Sequence, residues 1–145
     1  MRKRKLHTIG RIELVELPEW DIQSIEAKID TGAYTSSLHC HHIEEFEQDG
    51  KAFVRFNLLD PEHPAYNDQL IEFPILDRRE VKSSNGVSEY RFFIQTVIKF
   101  FNEEFNIELS LTDRSEMKYP ILIGRKFLKN KFVVDVSKKN LSHKT

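Results

Sequence analysis

One stretch carries the side chains best suited to chemistry. Residues 27–42 read Ala-Lys-Ile-Asp-Thr-Gly-Ala-Tyr-Thr-Ser-Ser-Leu-His-Cys-His-His. Asp30 stands where an alternating segment, Ile25 to Ile29, runs into Thr31-Gly32-Ala33. A glycine there lets the backbone fold back and brings N–H groups towards the carboxylate. Such an acid has two readings: an Asx-type turn closing a strand, or an oriented carboxylate for acid–base work. His39, Cys40, His41 and His42 follow. On a strand, His39 and His41 project to one face and Cys40 and His42 to the other. Two histidines make half of a tetrahedral zinc site. No HExxH and no second cysteine completes it, and His7, His63 and His143 are isolated in sequence. The plainer reading of the cluster is a partly exposed strand with polar side chains. Cys40 has histidines pointing away from it, which suits a small buried thiol better than a nucleophile.

These groups must be held by strands, because most of the periodicity in the chain is two. Within Ile9 to Trp20, Ile12, Leu14 and Glu16 alternate with Glu13, Val15 and Leu17. Ile25, Ala27 and Ile29 share a face of the next strand, after a turn around Pro18 to Asp21. Gln48-Asp49-Gly50 and Ser83-Ser84-Asn85-Gly86 read as hairpin turns, since Asp, Asn and Gly accept positive φ cheaply. Leu59 to Gln69, with two prolines and no period, reads as a loop. Leu70 to Phe100 reads as strand, turn, strand. A turn at Asn102 to Asn106 leads into Phe105 to Asp113, where Ile107, Leu109 and Leu111 alternate with Glu108 and Ser110. Only Arg125 to Asn130 looks helical, with a last strand after it. The expected fold is mostly β, a barrel or sandwich with one short C-terminal helix.

Composition excludes several functions. The 145 residues are 39% hydrophobic and 31% charged, with 22 Lys+Arg against 23 Asp+Glu. That balance describes a globular protein and argues against broad nucleic-acid binding, which needs surplus cations to displace counterions. The basic run Arg2 to Lys5 reads as a solvated end, and no apolar run reaches bilayer length. No apolar segment follows the basic N-terminus, so it does not read as a signal peptide. One cysteine cannot make an internal disulfide. A cytoplasmic protein without membrane or nucleic-acid partners is expected. Without repeats or linkers, residues 1–145 read as a single domain with its core at about 10–136, a basic tail 1–8 and a polar tail 137–145. Gly124-Arg125 lacks the glycines and Lys-Ser/Thr of a nucleotide loop.

Taken together, "IDTGAYTSSL" and the later "ILIGRKFL" resemble the retropepsin-like aspartic proteases. In that family an acid in Asp-Thr-Gly sits in a loop beside a hydrophobic-hydrophobic-Gly crossing. The resemblance is closer still to a bacterial branch labelled ATP-dependent zinc proteases and associated with ATP-grasp glutamate ligases. "KIDTGAYTSSLH" and "LTDRSEMKYPILIGRKFL" look like its two signature blocks, and the likeness runs from about Gly10 to Val136.

The resemblance implies a retropepsin-like closed β-barrel with a flap hairpin at Ser83, Ser84, Asn85 and Gly86. It implies a homodimer in which Asp30 and its mate share one proton and activate water against a peptide bond. Thr31 would brace the two loops, Gly32 and Ala33 would offer backbone groups to the substrate, and Ile121 to Gly124 would be packing support. Arg114 and Tyr119 would support the loop or line the cleft. The implied substrate is a peptide or protein, with glutamate-rich tails a sensible guess. An ATP-grasp ligase would be a partner in the same pathway, and no cofactor is called for.

One position departs from the pattern. Tyr34 stands where viral members carry an Asp that pairs with the arginine of Gly-Arg. Arg125 is then expected to find a structural salt bridge with Asp113, Glu116 or Asp135, since a buried arginine is normally paired. The other option is that it meets an acidic substrate. Arg78, Arg79, Lys82 and Arg91 flank the flap and read either as a basic cover over the cleft or as an ordinary solvated hairpin. Two alternative functions stand beside the peptidase: a non-catalytic peptide-binding or dimerisation module of the same fold, and a zinc-dependent hydrolase using His39 and His41.

Overall fold

In the computed structural model the two-residue periodicity becomes β-strands almost throughout; residues 6–20, 22–58, 70–82, 86–113 and 119–143 are described. The strands are β1 (His7–Ile9), β2 (Ile12–Leu17), β3 (Ile22–Ile29), β4 (Ser36–Gln48), β5 (Lys51–Leu58) and β6 (Leu70–Pro74). They continue as β7 (Asp77–Lys82), β8 (Ser88–Phe100), β9 (Glu103–Thr112), β10 (Ile121–Ile123) and β11 (Phe132–Val134). The one α-helix among the described residues, α1 (Arg125–Leu128), lies between the last two. The expected mostly-β fold with a short C-terminal helix is what forms.

The main sheet runs β10-β3-β2-β8-β9-β4-β5-β6, and β10 also pairs with β4. That second pairing closes six strands into a ring. Ile121 and Ile123 point into it with Ile25, Ala27, Ile29, Leu38, Leu109 and Ile94, all buried in one core. The side chains between them face outwards: Lys28 and Asp30 on β3 and its end, and Leu122 on β10.

The turns behave as their residues require. Asp49 and Gly50 take φ of 53° and 79° between β4 and β5, the positive values that a two-residue hairpin demands. The β8–β9 turn falls earlier than expected, at Phe101 and Asn102 with φ of 55° and 58°, so β9 already begins at Glu103. Leu70 to Lys82 is two strands rather than one, because the chain breaks at Ile75 and Leu76. There Ile75 N–H donates to Ala52 O on β5, and Leu76 N–H to Phe93 O on β8. The chain thus changes partner strand in two residues, which periodicity does not report. Residues 59–69 and the flap tip Ser83, Ser84 and Asn85 lie outside the described residues. Gly86, at φ 84°, closes the described end of that turn.

Two features of the chain ends depart from the sequence reading. β1 and β11 pair in parallel as a separate two-stranded sheet. In β2 the buried set is Glu13, Val15 and Leu17, which places a carboxylate in the interior. Glu13 is fully buried and accepts N–H bonds from Gly10 (2.7 Å), Leu141 (3.2 Å) and Ser142 (2.9 Å). A buried carboxylate needs such donors, and here they tie the C-terminal turn, residues 141–143, onto β2.

Candidate active site

The Asp30 loop is built by a crossing of three strands. β10 runs parallel to β3, with Ile121, Leu122 and Ile123 opposite Ala27, Lys28 and Ile29. On its other side it runs antiparallel to β4, with Ile121 opposite Leu38 and Leu122 opposite Ser37. The loop 30–35 leaves β3 and returns as β4, so β10 fills the space between its two arms. Asp30 N–H donates to Ile123 O at 2.8 Å, and Ala33 N–H closes the turn on Asp30 O at 3.2 Å. Beyond β10 the chain turns into α1, whose first two N–H groups donate to Ala33 O (2.8 Å) and Tyr34 O (2.9 Å). Those N–H groups have no partner inside a helix, and the loop carbonyls supply one.

Gly124 makes this approach possible. A Cβ on it would lie 2.6 Å from Thr35 O and 2.7 Å from Tyr34 O, closer than any side chain tolerates. Its N–H donates to Ser36 Oγ at 3.0 Å, so the small residue and the hydroxyl act together. The helix is anchored from behind by Phe127 and Leu128, both buried. Phe127 packs against Phe100, Phe105 and Phe132 with ring centroids 5.7–6.1 Å apart. Burial of that kind contributes about 1.5–3 kcal/mol per large side chain, enough to hold a single helical turn that would not form alone.

The carboxylate at the centre is partly exposed. Gly32 N–H donates to Asp30 Oδ1 at 3.0 Å, which fixes its orientation. Thr31 and Gly32 are exposed, and Ala33 is half-buried. Arg125 is exposed and donates from a terminal nitrogen to Thr31 O at 2.9 Å. Its guanidinium lies 5.8 Å from the centre of the Tyr34 ring.

The expected salt bridge of Arg125 is therefore replaced, among the described residues, by a carbonyl and an aromatic face. Asp113 pairs with His41 instead, and Asp135 accepts from Ser137; Glu116 lies outside the described residues. The exposure of Arg125 explains the difference, because solvent already stabilises its charge. Arg114 also lies outside the described residues, and Tyr119 is half-buried, preceding β10.

The histidine cluster sits at the opposite end of this crossing, where His39 N–H donates to Pro120 O at 2.8 Å. His39 and His41 share a face with ring centroids 4.9 Å apart. His39 is buried at 4% exposure, contrary to the partly exposed strand expected, because β9 covers this length of β4 with Thr112 opposite His39. His41 Nδ1 meets Asp113 Oδ1 at 2.8 Å. His42 does not follow Cys40 inwards: a register shift begins after His41, and His42 takes φ 58° and bonds Asn57 at 2.7 Å. Cys40 is fully buried, and burial pushes its thiol far above its ordinary range, as a structural thiol requires. Among the described residues no three His, Cys, Asp or Glu side chains converge on a point that a metal ion would occupy.

The four basic residues at the flap separate into two kinds. Arg78 pairs with Glu45, and Arg79 bridges Asp77 (2.6 Å) and Glu108 (3.2 Å). Lys82 is exposed. Arg91 instead turns inwards at 8% exposure. It bonds Glu89 and reaches Ser37 Oγ and Ser110 Oγ at 3.5 and 3.4 Å. Periodicity of two would have placed Arg91 with buried Phe93, and that was the available signal for its inward position.

Known proteins agree with this architecture. A family model described as RimB-like, retropepsin-like aspartic endopeptidase RimB, matches residues 8–145. A probable alpha-L-glutamate ligase of Shewanella pealeana is 40% identical over 133 residues, covering 89% of this chain and 28% of that protein. One from Desulfotalea psychrophila is 36% identical over 131 residues, covering 88% and 27%. The chain thus spans little more than a quarter of these relatives. A solved structure of a Legionella pneumophila protein of unknown function (DUF785) superposes with a TM-score of 0.77 at 26% identity, over 95% of this chain and 99% of that one. The chain belongs to the RimB-like family of retropepsin-like aspartic endopeptidases.

Proposed function

We propose that this protein is an aspartic peptidase whose active site forms when two copies bring their Asp30 carboxylates together. The carrying observation is the Asp30 loop itself: a partly exposed carboxylate oriented by Gly32 N–H and braced by β10 and α1. Among the described residues, no second carboxylate is bonded to it. Peptide hydrolysis by this chemistry needs two acids at short range, where like-charge repulsion makes them share one proton. The ionised member takes a proton from the attacking water while the protonated one donates to the carbonyl oxygen. The oxygen of that water bonds to the carbon, the C–N bond then breaks, and the leaving amine takes a proton from the pair. A two-fold axis beside Asp30 supplies the second acid from an identical loop.

The substrate reading is an acidic, glutamate-rich peptide tail on a protein. The relatives named as probable glutamate ligases support it, because they join a segment like this one to a much longer chain. An ATP-grasp ligase acting on the same tail is the partner this implies, and a cytoplasmic location follows from such a partner. Thr31, Gly32 and Ala33 are the loop groups that would meet the mate and the substrate backbone, under a flap running through Gly86.

The test is to incubate wild type and Asp30→Asn with a peptide library rich in acidic members and read the products by mass spectrometry. Wild type is expected to generate new termini, unaffected by chelators, and Asp30→Asn none. Cleavage by the variant at the wild-type rate would overturn the reading.

A further inference from the structure

A cleft of about 470 Å³ opens beside the Asp30 loop, with Thr35 and Ser36 on one wall and Lys126 of α1 on another. Like Asp30, it opens on the outer face of the ring of strands. Lys28, which shares the outward face of β3 with Asp30, is opposite Leu122. Leu122 is opposite Ser37, Ser37 opposite Ser110, Ser110 opposite Phe93, and Phe93 opposite Asp77. Directly opposed residues point to one face, so the row runs unbroken from Lys28 to the cleft, which Phe93 and Asp77 line. The volume is in the range of ligand-holding clefts.

Its charges are unequal. Arg79, Lys126 and Lys131 line it against Asp77 and Glu108. Arg79 and Lys126 both converge on the single carboxylate of Glu108. The Lys131 ammonium meets the Phe127 carbonyl at 3.1 Å and lies 5.0 Å from that ring; among the described residues no carboxylate pairs with it. Glu108 thus occupies, within the fold, the place that an entering carboxylate would take between two cations. Phe93 and Phe127 supply apolar lining for the methylenes of such a side chain.

We infer that this cleft is a subsite for an acidic side chain of the substrate, a few residues from the scissile bond, held by Lys126, Lys131 and Arg79 in competition with Glu108. The inference rests on the peptidase reading for its placement, but its chemistry is a binding claim and is tested as one.

The probe is fluorescein-labelled hexaglutamate against hexaglutamine, read by fluorescence anisotropy at low salt on an Asp30→Asn background, so that the probe is not consumed. Lys126→Gln/Lys131→Gln is expected to weaken hexaglutamate binding about three- to tenfold, the size of partly exposed charge pairs. Glu108→Gln is expected to strengthen it by a similar factor, because it releases Lys126 and a terminal nitrogen of Arg79, whose Nε stays on Asp77. Lys51→Gln, at the start of β5 and outside the cleft, carries the same charge change as one lysine substitution and is expected to alter nothing.

Equal binding of the two probes by the Asp30→Asn protein, or an equal effect of Lys51→Gln, would overturn the subsite. So would weaker binding in Glu108→Gln. Cleavage by the otherwise wild-type protein is scored separately. Charge-dependent binding without cleavage keeps the cleft and removes the peptidase. Cleavage whose Glu-over-Gln preference survives in Lys126→Gln/Lys131→Gln keeps the peptidase and removes the cleft.

Discussion

Tyr34 and Arg125 define the local electrostatics of the site. An Asp at position 34 would neutralise Arg125 on the Asp30 loop. The aromatic ring stabilises the guanidinium without cancelling its charge, so a cation remains exposed on the Asp30 loop. A double-mutant cycle of Tyr34→Ala and Arg125→Ala, followed by urea unfolding, is expected to give a coupling of about 0.5–1 kcal/mol. Two other acids set the response to pH. Arg79 bonds the Asp77 carboxylate and holds it below the usual range, and the Ser137 hydroxyl does the same for Asp135. A carboxylate depressed in the folded state lends stability that is present above its unfolded pKa and lost as pH falls through the folded one. The melting temperature is therefore expected to fall from pH 5 to pH 3, and by less in Asp135→Asn than in wild type. An equal or larger fall in the variant would contradict that assignment. Glu13, fully buried, was hidden in the sequence because an acid at an alternating position reads as solvent-facing. Its donors Leu141 and Ser142 lie far along the chain.

At the scale of elements, the site depends on β10 and α1 holding the two arms of the Asp30 loop. Gly124→Ala places a methyl against two backbone carbonyls, and an overpacked contact costs about 1–3 kcal/mol. Denaturant titration is expected to show that loss. Ser36→Ala, which removes only the bond to Gly124 N–H, is expected to cost about 1 kcal/mol. A Gly124→Ala protein as stable as wild type would mean that the loop is not clamped as described. The paired blocks around Asp30 and Gly124 made this crossing legible through their resemblance to the retropepsin-like pattern, which implies that the two segments pack together. The hairpin at Asp49-Gly50 was legible because Asp and Gly accept positive φ cheaply. What was not legible was long-range: the exchange of partner strand at Ile75 and Leu76, and the β1–β11 pairing. The cover that β9 gives to His39 belongs to the same class. Each depends on which strands meet, and periodicity reports only which residues alternate.

For the whole molecule, the ring of six strands carries the core on its inside and Asp30, the proposed catalytic acid, on its outside. That arrangement leaves Asp30 able to face an identical loop, with the basic cleft to one side of it. The claim that one site is made from two chains has a quantitative consequence. Wild type and Asp30→Asn are mixed in varying proportions, allowed to exchange subunits, and assayed on the best-cleaved acidic peptide. If catalysis needs both carboxylates, activity falls as the square of the wild-type fraction, because mixed dimers are inactive. Activity falling in direct proportion to the wild-type fraction would show that each chain works alone, and would contradict the shared site.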